Sequence, residues 1–174
     1  DSATLTMTGL AQISPHCLVL QLPGTFRSYA QLDRALTALG PGLEHDLVGQ
    51  GFHTLGWGEI GQARVFSTRD VRTPDDLAHL RVWQRRGDAL LEALFAELHT
   101  TPVQLDLPEV LSALQTNRID TYFAPPVAAV ALQWSSRSQT ISDMPLSIVV
   151  SALVVSDAAW RRLTPEQASV LTET

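Results

Sequence analysis

The residues with chemistry to offer are five histidines, one cysteine, a few acid pairs and a scatter of aromatic rings. His16, His45, His53, His79 and His99 show no i, i+4 pairing and no cysteine or carboxylate at ligand spacing, so no metal site is expected. Cys17 has no partner base nearby, and its apolar neighbours at 18–20 read as the surroundings of an inert buried thiol. A single cysteine also excludes an intrachain disulfide. Asp75 and Asp76 read as a helix N-terminal pair favoured by the macrodipole, not as a catalytic dyad. Gly56, Gly58 and Gly61 match G-x-G-x-x-G formally. No following helix supports a dinucleotide site, and a lone match is weak. With no nucleophile–base pair and no phosphate loop in view, neither catalysis nor a cofactor is expected.

The aromatic residues are more informative. Two short runs, 80–83 and 119–123, are β-branched and aromatic and read as strands. Between them lie two helical patterns and a third short run at 102–105. Strand, helix, strand, helix, strand is the pattern of a parallel α/β sheet. Such sheets bind ligands at the carboxyl ends of their strands, here Trp83-Gln84 and Phe123-Ala124-Pro125-Pro126. Tyr122 and Phe123 point to opposite faces of one strand, so at most one of them lines a cleft. Trp83 reads equally as a core ring or a ligand contact. Trp57 is carried as a further candidate contact, although it and Trp134 read first as packing. Arg64 is either a solvated strand residue or a ligand contact.

The totals set the frame. The chain has 174 residues, enough for one medium domain or two small lobes. A chain this long buries roughly 70% of its unfolded surface and needs no disulfide or metal staple. Hydrophobic content is 45%, charged content 17% and net charge −6. That balance argues against nucleic acid as a partner, since no basic cluster exceeds Arg85-Arg86 or Arg161-Arg162. No apolar run approaches the ~20 residues needed to span a bilayer.

In chain order, 4–8 reads as a strand, and 28–39 as a helix with Ser28 as N-cap and Gly40 at its end. A second helix follows Pro41 to about Val48. Residues 52–57 and 63–66 read as two strands separated by a glycine loop. Residues 88–98 and 108–116 are strong helices, and Pro125-Pro126 opens another that runs to Trp134. Residues 147–155 are too apolar to face water on either side and read as a buried strand. Two short helices follow, at 157–163 and 165–171.

Several of these spans resemble the substrate-binding proteins of TRAP transporters, the DctP-type family. Residues 22–28, Leu-Pro-Gly-Thr-Phe-Arg-Ser, look like its LP-x-x-F-R-S segment. Residues 52–61 look like G-x-x-x-L-x-W-x-x-x-G, and 71–77 like P-I-K-T-P-E-D-L. Residues 109–120 resemble E-V-Y-x-A-L-Q-T-G-x-V-D-G, the most specific match. Trp160 and Leu163 fit a later W-x-x-L.

The resemblance covers nearly the whole chain and implies a non-catalytic periplasmic receptor of the periplasmic binding protein-like α/β class. Its two lobes, with mainly parallel sheets flanked by helices, close on a small ligand. It implies that residues 1–66 are part of the first lobe, whose first βαβ segment is missing. Residues 67–124 would be the second lobe, with hinge crossings near 64–70 and 120–126. Residues 125–174 would return to the first lobe and begin truncated C-terminal helices. If the polypeptide ends at these boundaries, a homodimer becomes an option.

Family members that bind organic acids grip the carboxylate with the arginine of K-I-R-V. Aligning Leu77 and Leu80 with D-L-K-G-L-K-I-R-V puts Arg81 at the lysine, Val82 at the isoleucine and Trp83 at the arginine. The family's asparagine before proline falls at Ala124, and Arg64 corresponds to a second ligand-facing arginine. An indole in place of a guanidinium leaves a carboxylate desolvated and unpaired. Trp83, Tyr122, Phe123 and Ala124 would instead form an apolar wall. The expectation is therefore a small apolar or aromatic ligand, delivered to TRAP-type membrane permease subunits. The alternative is a lipid- or sterol-carrying binding module of the periplasm, marked by a long open apolar groove.

Overall fold

The computed structural model describes residues 1–143 and 145–172. It divides into two compact units, one of residues 1–60 with 148–174 and one of residues 61–147.

The first unit holds β1 (Ser2–Thr6), α1 (Met7–Leu10) and α2 (Tyr29–Gly49). It also holds most of β2 (Phe52–Ser67) and β7 (Ser147–Ser156), and then α6 (Asp157–Trp160) and α7 (Pro165–Thr172). β7 lies between β1 and β2, and β1 pairs with it antiparallel, Thr4 opposite Leu153. Residues 15–21, apolar in sequence, form a 3-10 helix that buries Cys17 and Leu20. Burial pushes the Cys17 thiol up from its ordinary value, and nearby Asp46 adds to the effect, so a reactive thiolate is disfavoured.

The expected break at Gly40-Pro41 does not occur: α2 is one helix of 21 residues with Pro41 inside it. Pro41 removes one helical hydrogen bond, a cost of about 3 kcal/mol. Leu32, Gly40, Leu43 and Leu47 are buried at helical spacing on both sides of it, against Leu10, Leu20, Ile148 and Val150. That continuous apolar stripe offsets the lost bond. Ser28 caps the helix as expected, its hydroxyl accepting from Gln31 N–H at 3.3 Å.

At the other end of this unit, His53 Nε2 lies 3.1 Å from Asp157 Oδ1, and its ring stacks on Trp160 with centroids 4.8 Å apart. The His53 hydrogen bond, with the Arg161 charge, holds the Asp157 carboxyl below its usual value. A depressed carboxyl stabilises the fold above the unfolded value of about 3.9, and that contribution is lost as pH falls through the folded value. Asp157→Asn is expected to lower Tm at neutral pH, with the gap from wild type closing well below pH ~3.9. An equal gap at both extremes in a calorimetric series would contradict this.

The two strands and glycine loop expected over 52–66 are one strand, β2, of 16 residues. Gly56 and Gly58 lie within it, and the Gly58 carbonyl accepts from Ser151 Oγ at 3.1 Å. The G-x-G-x-x-G run is therefore strand and precedes no helix.

The second unit contains the end of β2, β3 (Trp83–Arg85), α3 (Ala89–Glu97) and β4 (Val103–Leu105). α4 (Val110–Gln115), β5 (Thr121–Ala124), α5 (Pro126–Ala131) and β6 (Thr140–Ile141) complete it. β3 runs parallel to β4, and Val82 bridges Thr121 in parallel, so the three central runs lie as the sequence implied. "Mainly parallel" is nevertheless corrected. β5 and β6 pair antiparallel with β2, as β1 does with β7, because β2 enters the unit running against β5. Residues 125–147, read as a return to the first lobe, cluster with this second unit. Trp134 accounts for it, standing edge-on to Trp83 and Tyr122 at 5.3 and 5.4 Å.

α4 ends where the family pattern has a glycine and this chain has Asn117, in the left-handed region at φ 54°. Arg118 N–H reaches back to the Ala113 carbonyl at 2.8 Å and Asn117 N–H to that of Leu114 at 3.3 Å, a Schellman closure. Asparagine is among the few residues with a side chain that visit this region readily. Asp76 closes a capping box with Thr73, and the Thr73 and Arg72 N–H groups hold its carboxyl below the usual range. Asp75-Asp76 is thus a helix-start pair.

Gly61 opens the second unit at φ +138°, where an added Cβ would meet Pro125 Cβ at 3.3 Å. Gly61→Ala is expected to cost about 1–3 kcal/mol in a denaturant titration, from strain and crowding together. An unchanged midpoint would contradict it.

Candidate functional site

Trp83, Tyr122, Phe123 and Ala124 lie inside the second unit's packed interior, Arg64 lies on the β2 segment of that unit, and Trp57 lies in the first unit. Trp83 is 8% exposed and packs with Leu105, Val110, Ile119, Tyr122 and Trp134. Its indole N–H donates to the Leu105 carbonyl at 3.0 Å, so its single polar handle is spent inside the fold. Tyr122 is fully buried and stacks on Phe66 with centroids 5.0 Å apart. Its hydroxyl lies 3.0 Å from Ser138 Oγ, and burial raises its pKa. Phe123 takes the opposite face, as strand alternation requires, and tilts against Phe95 at 5.8 Å. Ala124 is buried at 4% exposure. The expected aromatic wall is therefore corrected. Trp83 and Tyr122 fill a core between the sheet and the segment around Trp134, and the case for apolar cargo that rested on them falls. Trp57 belongs to the first unit, where its indole N–H donates to Glu44 Oε1 at 2.7 Å and its ring packs on the core there.

Arg64 differs from these. It sits on β2 directly opposite Ala124 and is half-buried. One edge of its guanidinium is fixed by main chain: Nη1 donates to the Ser142 carbonyl at 2.8 Å and to that of Asp143. Nη2 has only a long contact, 3.4 Å, with Gln62 Oε1. Among the described residues no carboxylate forms an ion pair with Arg64. Most neighbouring arginines do have one. Arg72 meets Asp70 at 2.6 Å, Arg81 meets Asp120 at 2.9 Å, and Arg86 meets Asp106 at 3.5 Å. Arg118 stands 4.0 Å from Glu109. A preset guanidinium with an unfilled edge can receive a carboxylate through a charge-assisted fork.

Sequence reasoning gave no role to Arg85, at the end of β3, beyond its part in a basic pair. It is exposed, and among the described residues it too has no carboxylate partner. The signal was in the period of two: Arg85 follows Trp83 by two residues and so shares its face.

Asp120, 4% exposed, accepts from Arg81 N–H and Nε–H, both at 2.9 Å, and from Thr121 Oγ1 at 3.1 Å. Thr121 Oγ1 lies 2.9 Å from Ser67 Oγ. This network ties β2, the approach to β3 and β5 together at the amino end of β5, away from Ala124. It is structural bracing. Among the described residues no helix is long and apolar enough to cross a membrane, and no group of three His, Cys, Asp or Glu side chains could hold a metal ion.

This architecture has counterparts among solved structures. A TRAP periplasmic solute binding protein from Pseudomonas aeruginosa with bound L-malate superposes with a TM-score of 0.91 at 21% identity, over 99% of this chain and 60% of its own. One from Haemophilus influenzae with bound L-gulonate gives 0.91 at 17%, over 99% and 57%. An extracytoplasmic solute receptor of Bordetella pertussis binding pyroglutamic acid gives 0.90 at 20%, over 99% and 57%. At these identities the likeness is one of fold, and it supports the two-lobed periplasmic binding protein-like class. An uncharacterized protein of Haemophilus influenzae is 29% identical over 139 residues, 78% of this chain and 40% of that protein. The chain thus spans well under two thirds of the length of these relatives. The model of the DctP family, bacterial extracellular solute-binding protein, family 7, matches residues 1–174. This chain therefore belongs to the family 7 bacterial extracellular solute-binding proteins.

Proposed function

We propose that the protein is a non-catalytic receptor of the periplasm that captures a small organic acid and delivers it to a TRAP-type membrane permease. The observation that carries the reading is Arg64, a half-buried guanidinium with one edge preset by backbone carbonyls and no acid partner among the described residues. Family membership supports the receptor role, and the organic acids bound by the L-malate, L-gulonate and pyroglutamic acid structures support the ligand class. Arg64 holds the ligand carboxylate through the guanidinium edge that the backbone carbonyls leave unfilled. A lipid or sterol role is less favoured. It asks for a long apolar groove, which a half-buried guanidinium with a preset edge does not favour.

Calorimetric titration of the purified protein with L-malate, L-gulonate, pyroglutamate and, as the competing class, palmitate tests the reading. At least one of the acids is expected to bind with a micromolar or lower Kd, and palmitate to bind none of the site. Binding of palmitate alone would overturn it.

A further inference from the structure

We propose that the outer face of α5, with Val127, Val130 and Leu132, is where the membrane permease docks. This rests on the receptor reading above and goes beyond it by giving that partner a place on the chain.

The sequence of α5 is unlike that of a helix meant for water. Residues 126–132 read Pro-Val-Ala-Ala-Val-Ala-Leu, and no charged side chain occurs from Thr121 to Ser136. A helix that is apolar all round belongs inside a core or against a partner. α5 is only half inside. Ala129 is fully buried, in one cluster with Trp83, Tyr122 and Trp134. The opposite side is open: Val127 is 62% exposed and Val130 66%, and their spacing of three makes them neighbours on one face. Leu132, just past the last helical residue, is 39% exposed. Among the described residues of the second unit, no large apolar side chain is more exposed than Val130.

These valines do little for the fold. β-branching makes valine a poorer helix former than alanine, lysine or glutamate, because its χ1 is restricted against the preceding turn. An exposed side chain recovers little of that cost through burial. Ala129 and the Trp134 ring are what hold this segment on the sheet.

Area and charge decide what covers the face. Val127, Val130 and Leu132 together offer on the order of 300 Å², the size of a functional patch on a monomer. A stable pair of copies needs about 800 Å² from each partner. The face is therefore too small for a permanent dimer and suits a partner that binds and leaves. A lipid surface fits poorly, since α5 has six residues and no basic side to meet headgroups. A permease that takes ligand from a receptor must bind and release it at every delivery. Its matching surface is apolar and uncharged, because a charge pressed against these valines would be desolvated without a partner.

The probe is the TRAP permease subunit pair of the source organism, held in nanodiscs, with binding of the purified protein read by biolayer interferometry. The double variant Val127→Gln/Val130→Gln is expected to bind the permease about tenfold or more weakly. Its Tm and its acid titration should match wild type, since both positions are exposed and glutamine is a good helix former. Val170→Gln, on α7 and also 66% exposed, is the matched control and should leave permease binding unchanged. Wild-type affinity in the double variant would overturn the inference and leave the receptor reading standing, as would an equal loss in the Val170 control. Sedimentation showing a dimer that the double variant abolishes would also overturn it, with a second copy as the occupant. A wild-type protein that does not bind the permease at all sinks both the inference and delivery to that permease.

Discussion

Trp83→Ala lowers the unfolding free energy by about 3–5 kcal/mol, the cost of emptying a buried indole site. The ring fills the space beneath Trp134 and against Leu105 and Val110, and its N–H satisfies the Leu105 carbonyl. Truncation leaves a cavity and an unpartnered carbonyl, and the second adds about 1–3 kcal/mol where water does not reach. A drop of this size can leave the second unit unfolded at ambient temperature. Trp83→Phe is the graded control: it keeps much of the volume and loses the hydrogen bond. Urea denaturation of the set gives the order wild type, Phe, Ala. An alanine variant with an unchanged midpoint and abolished ligand binding would put the ring back in contact with cargo.

Arg64→Ala should weaken binding of whichever acid titrates by roughly 10²–10⁴-fold, since a fork of two charge-assisted bonds is worth about 1.5–3 kcal/mol each. Arg64→Lys keeps the charge but not the planar fork, and falls between. The side chain also ties down the Ser142 and Asp143 carbonyls, so the alanine variant should show faster amide exchange around residues 142–143. If its Kd for the acid equals that of wild type, Arg64 is only a brace for that segment.

The second unit was largely legible in the sequence. Its helices announce themselves through leucines at helical spacing and prolines at first turns, all local signals. The parallel run of β4, β3 and β5 followed from the alternation of helices and strands. What failed to show depended on partners far away in the chain. Pro41 looked like a stop because the apolar stripe on both sides of it gains its value only against β7. Gly56, Gly58 and Gly61 looked like a loop because nothing local shows that β7 and β5 pair alongside. Trp83 read equally as core or ligand contact because a strand-end position does not reveal Trp134, some fifty residues on, lying across it.

A crystal structure of the protein with its best-titrating acid tests the central claim most directly. The account places a ligand carboxylate oxygen within about 2.7–3.2 Å of an Arg64 guanidinium nitrogen. An acid held elsewhere, with Arg64 still bonded only to Ser142, Asp143 and Gln62, would contradict it.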